Sequence, residues 1–281
     1  MATLEDEDEF VRVLFYGDYG AGKTTALAHL AKLGTMKYIR TDRGLKARPL
    51  RQMGIDTRRI EPVDTFDPVG LEKMVDEWRE MLEETPGCLA GIVMDTATEW
   101  VARRIEVQVD ADWNRYLIKA RRAHEEVDPL LRYTSGEGLD QYKATTQEGR
   151  RLMRSLVDLK CHIGLGCQMR RDVDKQSGRV KYGPAVNPAL CGDLIGYSDF
   201  VIRLVQDGTW ADGRPLVVGY PRPSVEFEGK DRYGVLPSRL ADPTFDRLIA
   251  YASGELTKDT DLVQAGYREL VKRRKAEEDK L

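Results

Sequence analysis

Eight residues, Gly17-Asp18-Tyr19-Gly20-Ala21-Gly22-Lys23-Thr24, constrain this chain more than any other stretch. Before them comes Val11-Arg12-Val13-Leu14-Phe15-Tyr16, a β-branched and aromatic run that reads as a buried strand. After them Leu27, Leu30 and Leu33 recur at helical spacing, with alanines at 26, 28 and 31. Glycines between a strand and a helix let the backbone turn tightly with its N–H groups facing inward, at the positive end of the helix dipole. Such a concave ring of donors holds phosphate oxygens. The spacing G-x-x-x-x-G-K-[ST] then gives Lys23 to the β and γ phosphates, the Thr24 hydroxyl to Mg2+, and Thr25 a place near the α-phosphate. The whole stretch from Gly17 to Thr25 is therefore expected to bind a nucleotide. The bland alternative is a glycine turn with an incidental lysine, and the strand and helix on either side argue against it.

A phosphate loop of this kind needs an acid at the end of a buried strand to help hold the magnesium. Ile92-Val93-Met94-Asp95 supplies one, so Asp95 joins Thr24 as a candidate metal residue; alone, it would equally suit the N-cap of a following helix. The residue after it is Thr96, which leaves the water-activating carboxylate to be found elsewhere. Asp42, just past the predicted strand Lys37 to Arg40, is one candidate; Glu99, four residues beyond Asp95, is the other. Gln168 ends the apolar run Cys161 to Cys167, where it either senses the γ-phosphate and its attacking water or simply caps the strand. Residues 170–181 then carry Arg170, Arg171, Lys175, Arg179 and Lys181 against only Asp172 and Asp174, with Ser177-Gly178 between. A flexible basic loop suits a phosphodiester backbone, although most charged loops are only solvated.

The remaining pattern is that of an α/β protein. Further strands are predicted near Ile60 and over Leu89 to Met94, Phe200 to Leu204, Pro215 to Tyr220 and Val225 to Glu228. Helices are predicted over Leu71 to Glu84 and around residues 152–159 and 245–249. Strands that alternate with helices imply a mainly parallel sheet flanked by helices, with a late antiparallel extension. Residues 1–10 read as an acidic leader and 11–255 as one domain with a helical excursion at about 97–132. Residues 256–281 read as a charged helix or tail that frays. With 41% hydrophobic and 32% charged residues, such a chain buries a core and keeps a solvated surface. Lys and Arg total 44 against 47 Asp and Glu, which excludes a protein that coats nucleic acid through bulk charge; any such site is a patch. Cys88, Cys161, Cys167 and Cys191 form no C-x-x-C pair and only His29, His124 and His162 are present, so no zinc site is expected. The acids Glu5 to Glu9 are unlike a secretion signal, and no run nears a membrane span, so a cytoplasmic protein is expected.

Taken in order, Gly17 to Thr24, Tyr38-Ile39 to Asp42, Ile92 to Thr96 and Leu165-Gly166-Cys167-Gln168 resemble the RecA-like P-loop ATPases, in particular the small Sak-type phage recombination proteins related to RadA and the DnaB helicases. Gly229-Lys230-Asp231-Arg232-Tyr233-Gly234 is similar to the K-N-R-F-G segment of RadA. The resemblance implies ATP and Mg2+ as cofactors and a ring or filament of identical subunits with nucleotide at the interfaces. It also implies that Lys230 and Arg232 reach a neighbour's nucleotide and that single-stranded DNA contacts the 169–187 loop. It further implies that the strand ending at Gln168 lies between the phosphate-loop strand and the Asp95 strand. The family carries glutamate where this chain has Asp42, and nothing in it corresponds to the excursion or the tail. The rival function is a nucleotide-dependent assembly scaffold or switch with little hydrolysis and no DNA contact. A small-molecule kinase is disfavoured by the late Lys-x-Arg pair and the lack of an arginine-rich lid.

Overall fold

The structure, a computed structural model, describes residues 10–42, 44–64, 67–124, 126–127, 139–173 and 178–278. The acidic leader up to Glu9, Lys175, Ser177, residues 128–132 of the excursion and the last three residues lie outside the described residues. The strands are β1 (Arg12–Gly17), β2 (Met36–Arg40), β3 (Ile60–Val63), β4 (Gly91–Asp95), β5 (His162–Val173), β6 (Val180–Pro184), β7 (Phe200–Thr209), β8 (Pro215–Tyr220), β9 (Lys230–Asp231) and β10 (Leu240–Ala241). The α-helices are α1 (Lys23–Ala28), α2 (Ala47–Gln52), α3 (Pro68–Glu84), α4 (Ala97–Ala123), α5 (Leu139–Val157), α6 (Pro188–Tyr197), α7 (Phe245–Ala252) and α8 (Leu262–Glu278).

Six strands run parallel in the order β7-β1-β5-β4-β2-β3. β5 lies between β1 and β4, the order that the resemblance implies. β8, β10 and β9 add antiparallel partners on the β7 side, the late extension expected from the sequence. Side chains of β1 alternate between two cores, as period-two geometry requires. Leu14 and Tyr16 pack with α3, α5 and α6, while Val13 and Phe15 pack with α1 and α7. Helices on both faces leave the central strands dry, and every residue of β4 is buried. That burial explains its uninterrupted apolar sequence.

Three segments depart from the sequence reading. Residues 170–173 and 180–181 are strand rather than loop: β5 continues through Val173 and pairs antiparallel with β6, so Arg170, Arg171 and Lys181 stand on paired strands. Val225 to Glu228 is not a strand, since only Phe227 makes an isolated bridge, to Tyr182, and Val225 is exposed. The excursion is helical as expected, one continuous helix over residues 97–123 anchored on α5 by a bidentate pair from Arg104 to Glu148 at 3.0 and 3.2 Å. The C-terminal segment is docked rather than frayed over α8. Tyr267 packs with Leu216, Val218 and Ala241, and the buried Asp261 accepts from Arg247, from the Tyr251 hydroxyl (2.7 Å) and from the Gln264 amide (3.1 Å). One tyrosine and a capping aspartate leave no apolar stripe to read in the sequence. Among the described residues no helix is long and apolar enough to cross a membrane.

Candidate functional site

The parallel strands bring their carboxyl ends to one line. Gly17 pairs with Gln168, Gly166 with Asp95, and Asp95 with Arg40, so residues far apart in sequence meet at the top of β1, β5, β4 and β2. That edge is where ligands bind in open α/β sheets. The loop after β1 needs its glycines for two reasons. Gly20 and Gly22 have φ of 78° and 88°, a region that side chains disfavour. At Gly17 a Cβ would come within 2.5 Å of the Leu204 carbonyl on β7. Gly22 then enters α1 with no side-chain cap on the first turn.

Lys23 is only 6% exposed. Its Nζ donates to the Gly17 carbonyl (2.9 Å), the Asp18 carbonyl (2.8 Å) and Gln168 Oε1 (3.1 Å). Burial lowers its pKa, against the pull of Asp95 and other nearby acids. None of those three contacts is an anion, so the ammonium is held among neutral acceptors, and phosphate oxygens would be better partners. Opposite it, Asp95 is 2% exposed. Its Oδ2 accepts from the Thr24 hydroxyl (2.5 Å) and from the Tyr38 hydroxyl (2.7 Å), whereas Oδ1 is buried without a hydrogen-bond partner. Burial raises its pKa, and the two hydroxyls work against that rise. A hydroxyl and a carboxylate with a spare oxygen are hard donors that suit Mg2+, which binds through few protein ligands beside substrate phosphates. Thr24 and Asp95 would hold it.

These groups line one cavity of about 310 Å3 with Tyr19, Gly20, Gly22, Thr25, Asp42, Thr96 and Gln168. Asp42 is fixed by its own turn, where Oδ1 accepts from the Gly44 amide at 2.7 Å. The chain beneath it is tied to the Asp95 strand. Thr41 N–H donates to the Asp95 carbonyl (3.1 Å), and the Thr41 hydroxyl donates to the Thr96 carbonyl (2.8 Å) and accepts from the Thr96 amide (2.5 Å).

The AAA domain family matches residues 9–233, four-fifths of the chain. The chain belongs to this family of AAA-type P-loop ATPases. Comparison with curated proteins gives no match. The matched span of the AAA domain holds all six parallel strands, the phosphate loop and the Lys230–Arg232 pair, and it stops before α7 and α8. The family is one of nucleotide-binding ATPases.

Within the AAA domain the predicted site residues separate into groups. Lys23, Thr24, Thr25, Asp42, Asp95 and Gln168 converge on the cavity. Glu99 does not. Asp95 closes a strand, Thr96 caps α4 through a 3.1 Å bond to the Glu99 amide, and the Glu99 carboxylate pairs with Arg103 at 2.9 Å on the helix surface. Lys230 and Arg232 both reach the Gly196 carbonyl at the end of α6 instead of projecting freely. Lys230 Nζ donates to the Ile195 and Gly196 carbonyls (both 2.9 Å), and Arg232 bonds the Gly196 carbonyl (3.2 Å) and the buried Asp199 (2.7 Å). Phe200, which pairs with Asp231, sits opposite Val13, four residues or about 13 Å down β1 from Gly17. The pair therefore lies at the far end of the sheet from its own phosphate loop.

The hairpin bases divide by face. Arg170 bonds Asp172 (2.8 Å) and the Val186 carbonyl (2.7 Å), and Lys181 pairs with Glu228 (2.6 Å). Arg171 is exposed on the opposite face, across from Tyr182; Arg179 lies beside β6. Sequence reasoning assigned no role to Tyr38, Thr41 or Thr98, whose hydroxyl accepts from the Gln168 amide at 3.0 Å. The available signal was a tyrosine on the inward phase of β2, four residues before Asp42.

Proposed function

We propose that this ATPase is a RecA-like protein of the Sak type, which hydrolyses Mg-ATP as a ring or filament while holding single-stranded DNA in recombination, annealing or replication. One observation carries the reading. β5 is an unbroken strand from Gln168, hydrogen-bonded to Lys23, into Arg170 and Arg171 of the hairpin, so the γ-phosphate end of the cavity and a basic surface share one rigid element. In this reading Lys23 binds the β and γ phosphates, Thr24 and Asp95 hold Mg2+, Asp42 takes the proton of the attacking water, and Gln168 orients it. Bound Mg2+ supplies charge neutralisation at the phosphates. Lys230 and Arg232 are too far down the sheet to serve their own nucleotide, so in an assembly they would complete a neighbour's site after leaving the α6 carbonyls. The setting is the cytoplasm, of the host cell if the chain is phage-encoded. An assembly switch with little hydrolysis is favoured by one observation, the engagement of Lys230 and Arg232 within their own chain.

Removal of Arg171 and Arg179 by alanine substitution tests the DNA contact. Single strands lose about 0.7 in the slope of log K against log salt for each phosphate contact removed. The double variant is expected to bind every sequence more weakly, with a slope shallower by about 1.4 if each arginine meets one phosphate. Wild-type affinity and slope, measured by titration at several salt concentrations, would make the hairpin solvated surface.

A further inference from the structure

β2 carries Tyr38 at its middle, a 1% exposed tyrosine packed in the core on the α1 side of the sheet. Its hydroxyl donates at 2.7 Å to Asp95 Oδ2, the same oxygen that Thr24 reaches at 2.5 Å. The two donors are not equivalent. Thr24 belongs to the phosphate loop, and a hydroxyl that gives its oxygen to a cation has its orientation set by that cation as well as by Asp95. Tyr38 comes from the sheet, its ring is fixed by packing, and its hydroxyl, which also lies beside that of Thr24, keeps its bond to Asp95. Asp95 is otherwise poorly secured. Its Oδ1 has no partner, and it faces Gly166, where even a Cβ would fall within 2.5 Å of it. The missing side chain at 166 leaves the space that Oδ1 fills.

We propose that Tyr38 is a positioning residue for the cation, a fixed donor from the sheet that keeps the Asp95 carboxylate presented to Mg2+ whatever the phosphate loop is doing. The proposal rests on the assignment of Thr24 and Asp95 to Mg2+ made above. It gives Tyr38 a role that a core aromatic would lack. Phenylalanine would fill the same volume and keep the same packing, yet leave Asp95 held only by the loop that the cation itself engages. Thr41 does not replace it, because its three bonds fix the Asp95 and Thr96 backbone and leave the carboxylate free.

The test is Tyr38→Phe in the full chain, with ATP affinity measured by calorimetry over a Mg2+ series and again in excess chelator. A hydrogen bond to a charged group contributes enough that the Mg2+ concentration for half-maximal ATP affinity should rise about tenfold. ATP affinity in chelator should match wild type, while the melting temperature falls by several degrees from the lost bond. An unchanged Mg2+ requirement overturns the proposal. So does a parallel loss of affinity with and without Mg2+, or a fall in melting temperature alone, since either makes Tyr38 a packing residue. Wild-type ATP binding that is indifferent to Mg2+ overturns instead the assignment of Thr24 and Asp95, which distinguishes the two failures.

Discussion

Lys23→Ala is expected to lower ATP affinity by about a hundredfold or more and to remove turnover, with the melting temperature within a few degrees of wild type. The size follows from the environment. The ammonium is buried and its hydrogen bonds go only to neutral oxygens, so phosphate oxygens would give it the charge-assisted bonds that it lacks. The same environment limits the effect on the fold. A buried cation without a carboxylate partner contributes little net stability, and the carbonyls it leaves behind border an open cavity where water replaces it. Calorimetry with ATP, a phosphate-release assay and a thermal melt check all three expectations together. Unchanged ATP affinity would remove the phosphate loop from the account.

Asp42→Asn is expected to reduce kcat by a factor of about a hundred to a thousand while ATP affinity changes by less than about threefold. Asparagine keeps the oxygen that accepts from the Gly44 amide, so the turn survives and only the proton acceptor is lost. Glu99→Gln provides the comparison. Its carboxylate is committed to an exposed pair with Arg103, an interaction that contributes about 0.3–0.5 kcal/mol to stability, and kcat should stay within about twofold of wild type. Kinetics on both variants over a range of ATP concentrations separates kcat from KM. Loss of turnover in Glu99→Gln with normal turnover in Asp42→Asn would reverse the assignment.

The strand, glycine loop and helix were legible because backbone geometry leaves so few alternatives to glycine at 20 and 22 and at the Leu204 contact of Gly17. Asp95 was legible because a strand buried on both faces must be apolar to its end. Other parts were not, for physical reasons. α6 carries Gly192 and Gly196 and is apolar on most sides, so it shows no helical stripe; Asn187-Pro188, the cap and first residue, was its one signal. The hairpin continues β5 beyond the helices that cover the sheet, so its residues are charged and alternation is lost. Val225 to Glu228 looked like a strand because its apolar residues alternate with acids, yet Ser224 turns the chain through bonds to the Glu226 and Phe227 amides. Glu99 was drawn toward the site by counting four from Asp95, a spacing that holds only within one helix, and Asp95 is in a strand. The bond from Tyr38 to Asp95 joins residues 57 apart and depends on which strands are neighbours.

ATP hydrolysis by the wild-type protein, measured on each fraction of a size-exclusion separation with and without single-stranded DNA, tests the central claim most directly. The account predicts Mg2+-dependent turnover confined to an oligomeric fraction and raised by DNA, because in the proposed reading the cavity and the basic hairpin share β5 and the Lys230–Arg232 pair would serve a neighbour's nucleotide. Turnover by a monomer that is indifferent to DNA, or ATP binding with no turnover in any fraction, would contradict it.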